Sequence, residues 1–297
     1  MPEPLRPVAI LGLGLIGGSV ARALSRRGGW RVSAWSRTAE ATARALEEGT
    51  IQATLGDPAE AATAPLVLLA TPVPAILELI RSLGPGLVAS GAVVTDVGSS
   101  KAVIMATAAA VPGLRFVGGH PMSGAETRGY AASSAALFEG RPWVVVPGTT
   151  GDADAVQAVE QLALGCGARP VTLDAAAHDG AVAAISHLPL VASLALAQAA
   201  LDESDWPLAR RLAAQGWRDM TRLARGDPAM GGGLLATNAP AVGARLRAYR
   251  TVLEAWQVRL DALAASAGDG PAEQAALADL IGDLGRLAAS LGDPGPA

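Results

Sequence analysis

Val8-Ala-Ile-Leu-Gly-Leu-Gly-Leu-Ile-Gly-Gly-Ser-Val20 is the stretch from which the fold follows. Val8 to Leu11 is a short uncharged apolar run, the composition of a central parallel strand covered on both faces. Gly12, Gly14 and Gly17 then fall in GxGxxG spacing, and from Leu15 the pattern changes to helical periodicity. Gly12 allows the tight turn, Gly14 lets a pyrophosphate approach the backbone, and Gly17 lets helix and strand pack closely. Free N–H groups at the helix start attract an anion. The spacing alone is common in loops, but a strand before it and a helix after it specify a dinucleotide site. Its turn comprises Gly12, Leu13, Gly14, Leu15, Ile16 and Gly17.

Working outward, the next strand is Arg31 to Trp35, and its end decides which dinucleotide binds. Ser36 and Arg37 stand there, with no Asp or Glu until Glu40. A carboxylate would accept the ribose hydroxyls and repel a 2′-phosphate, whereas a small donor and a guanidinium suit that phosphate. NADP is therefore expected over NAD. Leu66 to Ala70 forms another apolar strand, and Thr71, which ends it, joins the cofactor-binding set.

Further strands read at Ala92 to Asp96, Phe116 to Gly118, Trp143 to Val146 and Pro170 to Leu173, with helices between them. That alternation specifies an α/β fold, a Rossmann-type doubly wound parallel sheet over residues 1–174. Beyond Asp174 only helices read, at Ala175 to Leu201, Pro207 to Ala224, Ala241 to Ala265 and Ala272 to Leu291. Residues 175–297 are thus expected to be an all-α substrate and dimerisation domain. Ala181 to Leu201 is almost uncharged on every side, and one helical layer has few places to bury it. Packing against a second copy, as a homodimer, is the expected solution.

Composition narrows the function classes. Charged residues make up 17% of the 297 and hydrophobic ones 51%, and a net charge of −4 leaves no basic face for nucleic acid or acidic lipid. Cys166 is the one cysteine, which fits a reducing compartment. The first strand begins too early for a signal peptide, and no uninterrupted apolar run reaches the roughly 18 residues of a membrane span. A soluble cytoplasmic protein is the expectation. Three histidines and one cysteine in scattered positions show no metal-ligand spacing, so no metal is expected.

Ligands of such sheets bind beyond the carboxyl ends of the strands. Two segments leave such ends, Thr95-Asp-Val-Gly-Ser-Ser-Lys101 and Gly118-Gly-His-Pro-Met-Ser-Gly124. Glycines around a histidine and a proline favour an open, shaped loop, which points to a functional His120. Lys101 is the only lysine in the chain.

These two segments, with Gly12-Leu-Gly-Leu-Ile-Gly-Gly-Ser19, Glu126, Ala184-Ile-Ser-His-Leu-Pro189 and Gly216-Trp-Arg-Asp-Met-Thr-Arg-Leu-Ala-Arg-Gly-Asp-Pro228, resemble the prephenate/arogenate dehydrogenases of tyrosine biosynthesis in order and spacing. The resemblance covers nearly the whole chain. It implies NAD(P)-dependent oxidative decarboxylation of a cyclohexadienol, with hydride passing to the nicotinamide and the ring carboxylate leaving as carbon dioxide. By resemblance His120 takes the ring-hydroxyl proton, as a neutral imidazole of pKa near 6.5 can. Ser99 is carried over as its catalytic partner. Arg222 is carried over as the grip on a substrate carboxylate, and Asp219, Glu126, Lys101 and His187 as further substrate-pocket residues. For His187 a packing or hydrogen-bonding role is preferred to direct contact, and His178 reads as a helix-start residue.

Two departures bear on the substrate. Many prephenate-using members read SHLPH where this chain has Leu190, and some place an aromatic after DPxM where it has Gly231. The pattern resembles arogenate-using or relaxed enzymes, so arogenate or prephenate is the expected substrate. Two rivals share the first motif. β-Hydroxyacid dehydrogenases place a lysine on the long interdomain helix, and no lysine occurs there. A non-catalytic NADP-binding sensor has no need of His120, Ser99 and Arg222 together.

Overall fold

The structure is a computed structural model that describes residues 5–124, 127–149 and 152–292. Eight strands form one sheet in the order β3-β2-β1-β4-β5-β6-β7-β8. They are β1 (Arg6–Leu11), β2 (Trp30–Trp35), β3 (Ala53–Thr54), β4 (Leu66–Leu69), β5 (Val93–Asp96), β6 (Arg115–Pro121), β7 (Pro142–Val146) and β8 (Arg169–Thr172). The helices α1 (Leu15–Arg27), α2 (Ala39–Glu47), α3 (Val73–Ser90), α4 (Lys101–Ala109) and α5 (Ala153–Gly165) connect them. The sheet's two faces carry separate apolar layers. Leu24, Val32, Phe138, Trp143 and Leu162 lie in one, and Leu69, Ile76, Ile80, Val94 and Ile104 in the other. Strands so enclosed have no polar face, which is why Val8 to Leu11 and Leu66 to Leu69 read as unbroken apolar runs.

The sheet departs from an all-parallel reading at one pair. β6 and β7 run antiparallel, with His120 opposite Val144. Among the described residues between them there is only a 3₁₀ turn at Tyr130–Ala132, and a parallel return would need a longer crossover. Helix α5 does separate β7 from β8, and those two are parallel. The two-residue β3 is too short to leave a sequence signal. Strand β6 also runs to Pro121 rather than ending at Gly118, so His120 sits within a strand and not on an open loop.

After β8 the chain is helical. α6 (Ala175–Val182), a π-turn over Ala183–His187 and α7 (Leu188–Leu201) form one continuous rod. Pro189 explains the π-turn, because its ring has no N–H for the carbonyl four residues back and crowds the turn that precedes it. The stretch Pro207 to Ala224 is not one helix. It divides into α8 (Trp206–Leu212), α9 (Gln215–Met220) and a 3₁₀ turn at Leu223–Arg225, and the break at Ala213-Ala214 carries no Gly or Pro to announce it. Conversely, α10 (Pro228–Thr237) forms despite Gly231-Gly232-Gly233, begun by Pro228 and capped by Asp227, whose Oδ1 accepts from Ala229 N at 2.9 Å.

Residues up to Val242 make one compact unit, and those from Gly243 a second. The second contains most of α11 (Ala239–Ala265) and all of α12 (Gly270–Leu291), tied by Arg259 to Asp283 at 3.1 Å. By length and composition alone, α3 and the rod Ala175–Leu201 are long and apolar enough for a membrane span, though Glu78 and Arg81 interrupt the first and Asp179 the second. α3 turns Ile76, Ile80 and Leu87 into the sheet. In the rod's most apolar 18-residue window, 22% is buried.

Candidate active site

The dinucleotide turn has the geometry its glycines require. Gly12 takes φ +109°, and a β-carbon there would lie 2.5 Å from the Ala70 carbonyl oxygen. One on Gly17 would lie 1.9 Å from the Gly12 oxygen. Gly14 differs, because nothing comes within 4 Å of its missing β-carbon, and the space in front of that backbone is open. α1 starts at Gly14 with no side-chain cap and no acid in its first turn, so its leading N–H groups are available to an anion. Thr71 Oγ1 beside this turn is buried with no hydrogen-bond partner among the described residues. An open approach, uncapped donors and an orphaned hydroxyl together fit the pyrophosphate of a dinucleotide. Gly12 N donates to the Trp35 carbonyl at 2.8 Å, which sets the end of β2 alongside the turn. Half-buried Ser36 and exposed Arg37 follow it directly.

The second part of the site grows from β5 and β6. A β-carbon on Gly119 would lie 2.4 Å from the Asp96 carbonyl oxygen, and one on Gly118 would lie 3.3 Å from the Lys101 stem. The two glycines therefore make room for β5 and for the Lys101 side chain, rather than for a flexible loop. Lys101, fully buried, pairs with Asp96 and donates to the Gly119 carbonyl at 2.7 Å. Asp96 also accepts from Gly98 N at 2.7 Å and Gly119 N at 3.1 Å. Burial lowers the Lys101 pKa, and Asp96 opposes that shift. The ammonium expected to assist a substrate thus lies inside the protein, bonded to the residue before His120.

His120 is completed by two residues that the sequence reading did not assign to the site. His120 Nδ1 lies 2.8 Å from His178 Nε2, and His178 Nδ1 lies 2.7 Å from Asp179 Oδ1. Asp179 in turn accepts from Lys101 N at 2.7 Å and Ala102 N at 2.8 Å, the first donors of α4, whose own cap residue Ser100 offers no side-chain bond. Burial works to raise the Asp179 pKa, but the bonds from His178 and the two amides outweigh it and leave it below the ordinary carboxylate value. Asp179 is thus an ionised acceptor, and the proton between it and His178 resides on Nδ1 of the imidazole. With a neutral His178, Nε2 accepts, His120 Nδ1 donates to it, and His120 Nε2 keeps a lone pair. His120 Nε2 has no bond among the described residues.

The electrostatics keep that base neutral. Burial first, then the Lys101 charge, His178 and His187, push the His120 pKa well below 6.5, lower than the value expected from sequence. His178 is not a helix-start residue, since Asp174 holds that cap by accepting from Ala177 N at 2.7 Å. The adjacent His178-Asp179 pair just inside a helix beyond the last strand was the available sequence signal.

The other expected residues are placed more loosely. Ser99 is half-buried at the end of β5, next to Ser100, whose Oγ meets Thr237 Oγ1 at 2.7 Å. His187 is buried and lies 3.2 Å from the Asn238 amide nitrogen. Asp219 and Arg222 are exposed, on a segment held to α7 by Ala224 N donating to Ser193 Oγ at 3.0 Å. Asp219 accepts from Gln215 at 2.7 Å. Glu126 lies outside the described residues.

A Rossmann sheet with a dinucleotide turn, and a histidine relay at the edge of β6, define a protein of dehydrogenase architecture. The nucleotide-binding domain of prephenate dehydrogenase matches residues 20–172, and the dimerization domain of prephenate dehydrogenase matches residues 174–264. Prephenate dehydrogenase of Bacillus subtilis (strain 168) is 36% identical over 239 residues, 78% of this chain, which spans 64% of that enzyme's length. The crystal structure of Synechocystis arogenate dehydrogenase superimposes with a TM-score of 0.76 at 32% identity, over 95% of this chain and 99% of its own. Prephenate dehydrogenase of A. aeolicus, solved with hydroxyphenyl propionate and NAD+, shares the fold with a TM-score of 0.79 at 24% identity, over 95% and 99% of the two chains. The chain belongs to the prephenate dehydrogenase family.

Proposed function

We propose that this protein is an NAD(P)-dependent dehydrogenase that oxidatively decarboxylates arogenate or prephenate, with NADP as the preferred cofactor, and that it works in the cytoplasm as a homodimer. The observation that carries the reading is the His120–His178–Asp179 relay, which ends in one basic nitrogen near the carboxyl end of β6, in the sheet that bears the dinucleotide turn. Gly12 to Gly17 and Thr71 hold the dinucleotide, and Ser36 with Arg37 meets a 2′-phosphate. A bound nicotinamide supplies the hydride acceptor. His120 Nε2 takes the ring-hydroxyl proton, and His178, with Asp179 behind it, steadies the imidazolium that results. Ser99 is positioned as a second hydrogen-bonding group for that hydroxyl. Arg222 and Asp219 serve the carboxylate end of the substrate, with Glu126 and His187 at the pocket wall.

Residues 1–174 act as the cofactor half and 175–297 as the substrate and dimer half. The incompletely buried rod Ala175–Leu201 supports a second copy, because a soluble monomer rarely leaves so long an apolar surface in water. Substrate choice rests on Leu190, which replaces a polar partner for a keto-acid and favours arogenate. The test is NAD(P)H formation from arogenate and from prephenate, each with NADP and with NAD. Turnover of arogenate with NADP is expected, and no reduction with either acid overturns the proposal.

A further inference from the structure

Asn238 joins α10 to α11 and is 4% exposed. Its amide nitrogen lies 2.9 Å from the Asp179 carbonyl oxygen and 3.2 Å from His187 Nδ1. A backbone carbonyl can only accept, so the amide must turn its NH₂ toward Asp179, and the same nitrogen faces His187. An amide nitrogen does not accept, so His187 Nδ1 is the acceptor and carries no proton. The ring proton then sits on Nε2. Charging His187 would set an Nδ1–H against the amide donor, two donors facing each other.

His187 reaches this position through the π-turn. At about 100° per residue, residues nine apart lie on opposite sides of an unbroken α-helix. The extra residue of a π-turn removes about 100°, which leaves His178 and His187 about 80° apart, on one side of the rod. The corner that carries Asn238 is held by its neighbour Thr237, bonded to Ser100 at the start of α4.

We propose that Asn238 is a positioning residue that locks His187 as the neutral Nε2–H tautomer, a hydrogen-bond donor, so that His120 is the one histidine of the three set up as a base. This rests on the reading of His120 given above. The groups around His187 agree with it. Burial lowers its pKa, Asp179 on α6 raises it, His178 lowers it further, and the net direction is down. His120 on β6 is lowered as well, in part by His187 itself.

The chain has three histidines, so long-range imidazole ¹⁵N spectra of the full-length labelled protein contain three ring systems, and His187→Asn identifies one by its loss. The parent is expected to show His187 with hydrogen on Nε2 alone down to pH 6.5 and below. Asn238→Asp offers Nδ1 an anionic acceptor and should raise the His187 midpoint by about 1–3 units, the usual effect of an adjacent opposite charge. Asn238→Ala, which places no carboxylate near the Asp179 carbonyl, should also raise it and should lower kcat/KM while leaving NADP affinity unchanged. His187 protonated on Nδ1 in the parent overturns the proposal. So does an Asn238→Ala protein with parental tautomer, midpoint and kinetics. The spectra need no substrate, so an inert protein or an active His120→Asn variant counts against the dehydrogenase reading and leaves this result standing.

Discussion

His120 and His178 meet edge to face, Nδ1 to Nε2 at 2.8 Å with the ring planes 71° apart. With His178 neutral and donating to Asp179, its Nε2 accepts from His120 Nδ1, which leaves Nε2 as the basic nitrogen of His120. Burial first, and then the Lys101 charge with His178 and His187, makes a charged His120 costly.

Removal of the base should therefore act on turnover and on its pH dependence. His120→Asn is expected to lower kcat by about 100-fold or more. The parental rate should rise with pH through a midpoint below 6.5, because the folded protein resists protonating His120. Stability follows the same sign. It is full above pH 6.5, the unfolded value, and declines as pH falls below it, where the unfolded chain binds a proton the folded one refuses. Steady-state rates and denaturation midpoints between about pH 4 and 8 check both statements, and a rate limb centred above 6.5 contradicts them.

Gly14 and Gly17 should separate binding from folding. Gly17→Ala drives a β-carbon into the Gly12 carbonyl and should destabilise by about 1–3 kcal/mol or more. Gly14→Ala meets no protein atom, so its stability should stay within about 1 kcal/mol of the parent while the dinucleotide loses its close approach. Calorimetry paired with cofactor titration distinguishes them. Unchanged cofactor affinity in Gly14→Ala removes the pyrophosphate from that turn.

Lys101→Met should cost about 3–5 kcal/mol, because it leaves Asp96 charged and buried without its cation. The double variant with Asp96→Asn should be milder than Lys101→Met alone. Equal losses in urea denaturation argue that the stem of Lys101, not its charge, stabilises the site.

Arg37→Asp should abolish or reverse NADP preference. One charge-assisted contact of about 1.5 kcal/mol corresponds to roughly tenfold in affinity. Michaelis constants for NADP and NAD in parent and variant give the answer, and equal use of both by the parent refutes a 2′-phosphate site.

The sheet was legible in the chain because local patterns dictate it. Buried strands must be apolar throughout, and Gly17 excludes a side chain by its contact with the Gly12 carbonyl within one strand–turn–helix unit. His120 was legible because it ends such a strand. The antiparallel β7 was not, since direction depends on the absence of a crossover helix. Lys101 was misjudged for a related reason. Its position in the sequence places it beside the site, but the space beneath Gly118 and Gly119 draws it inward to Asp96. His178 and Asp179 offer only their adjacency as a signal, and Asn238 none, because their other partners lie 58, 78 and 51 residues away along the chain. Sequence by itself determined the apolar strands of the sheet and the glycine turn. Only tertiary structure decided the tautomer of His120, because a proton's place on an imidazole depends on what stands on the other side of the ring.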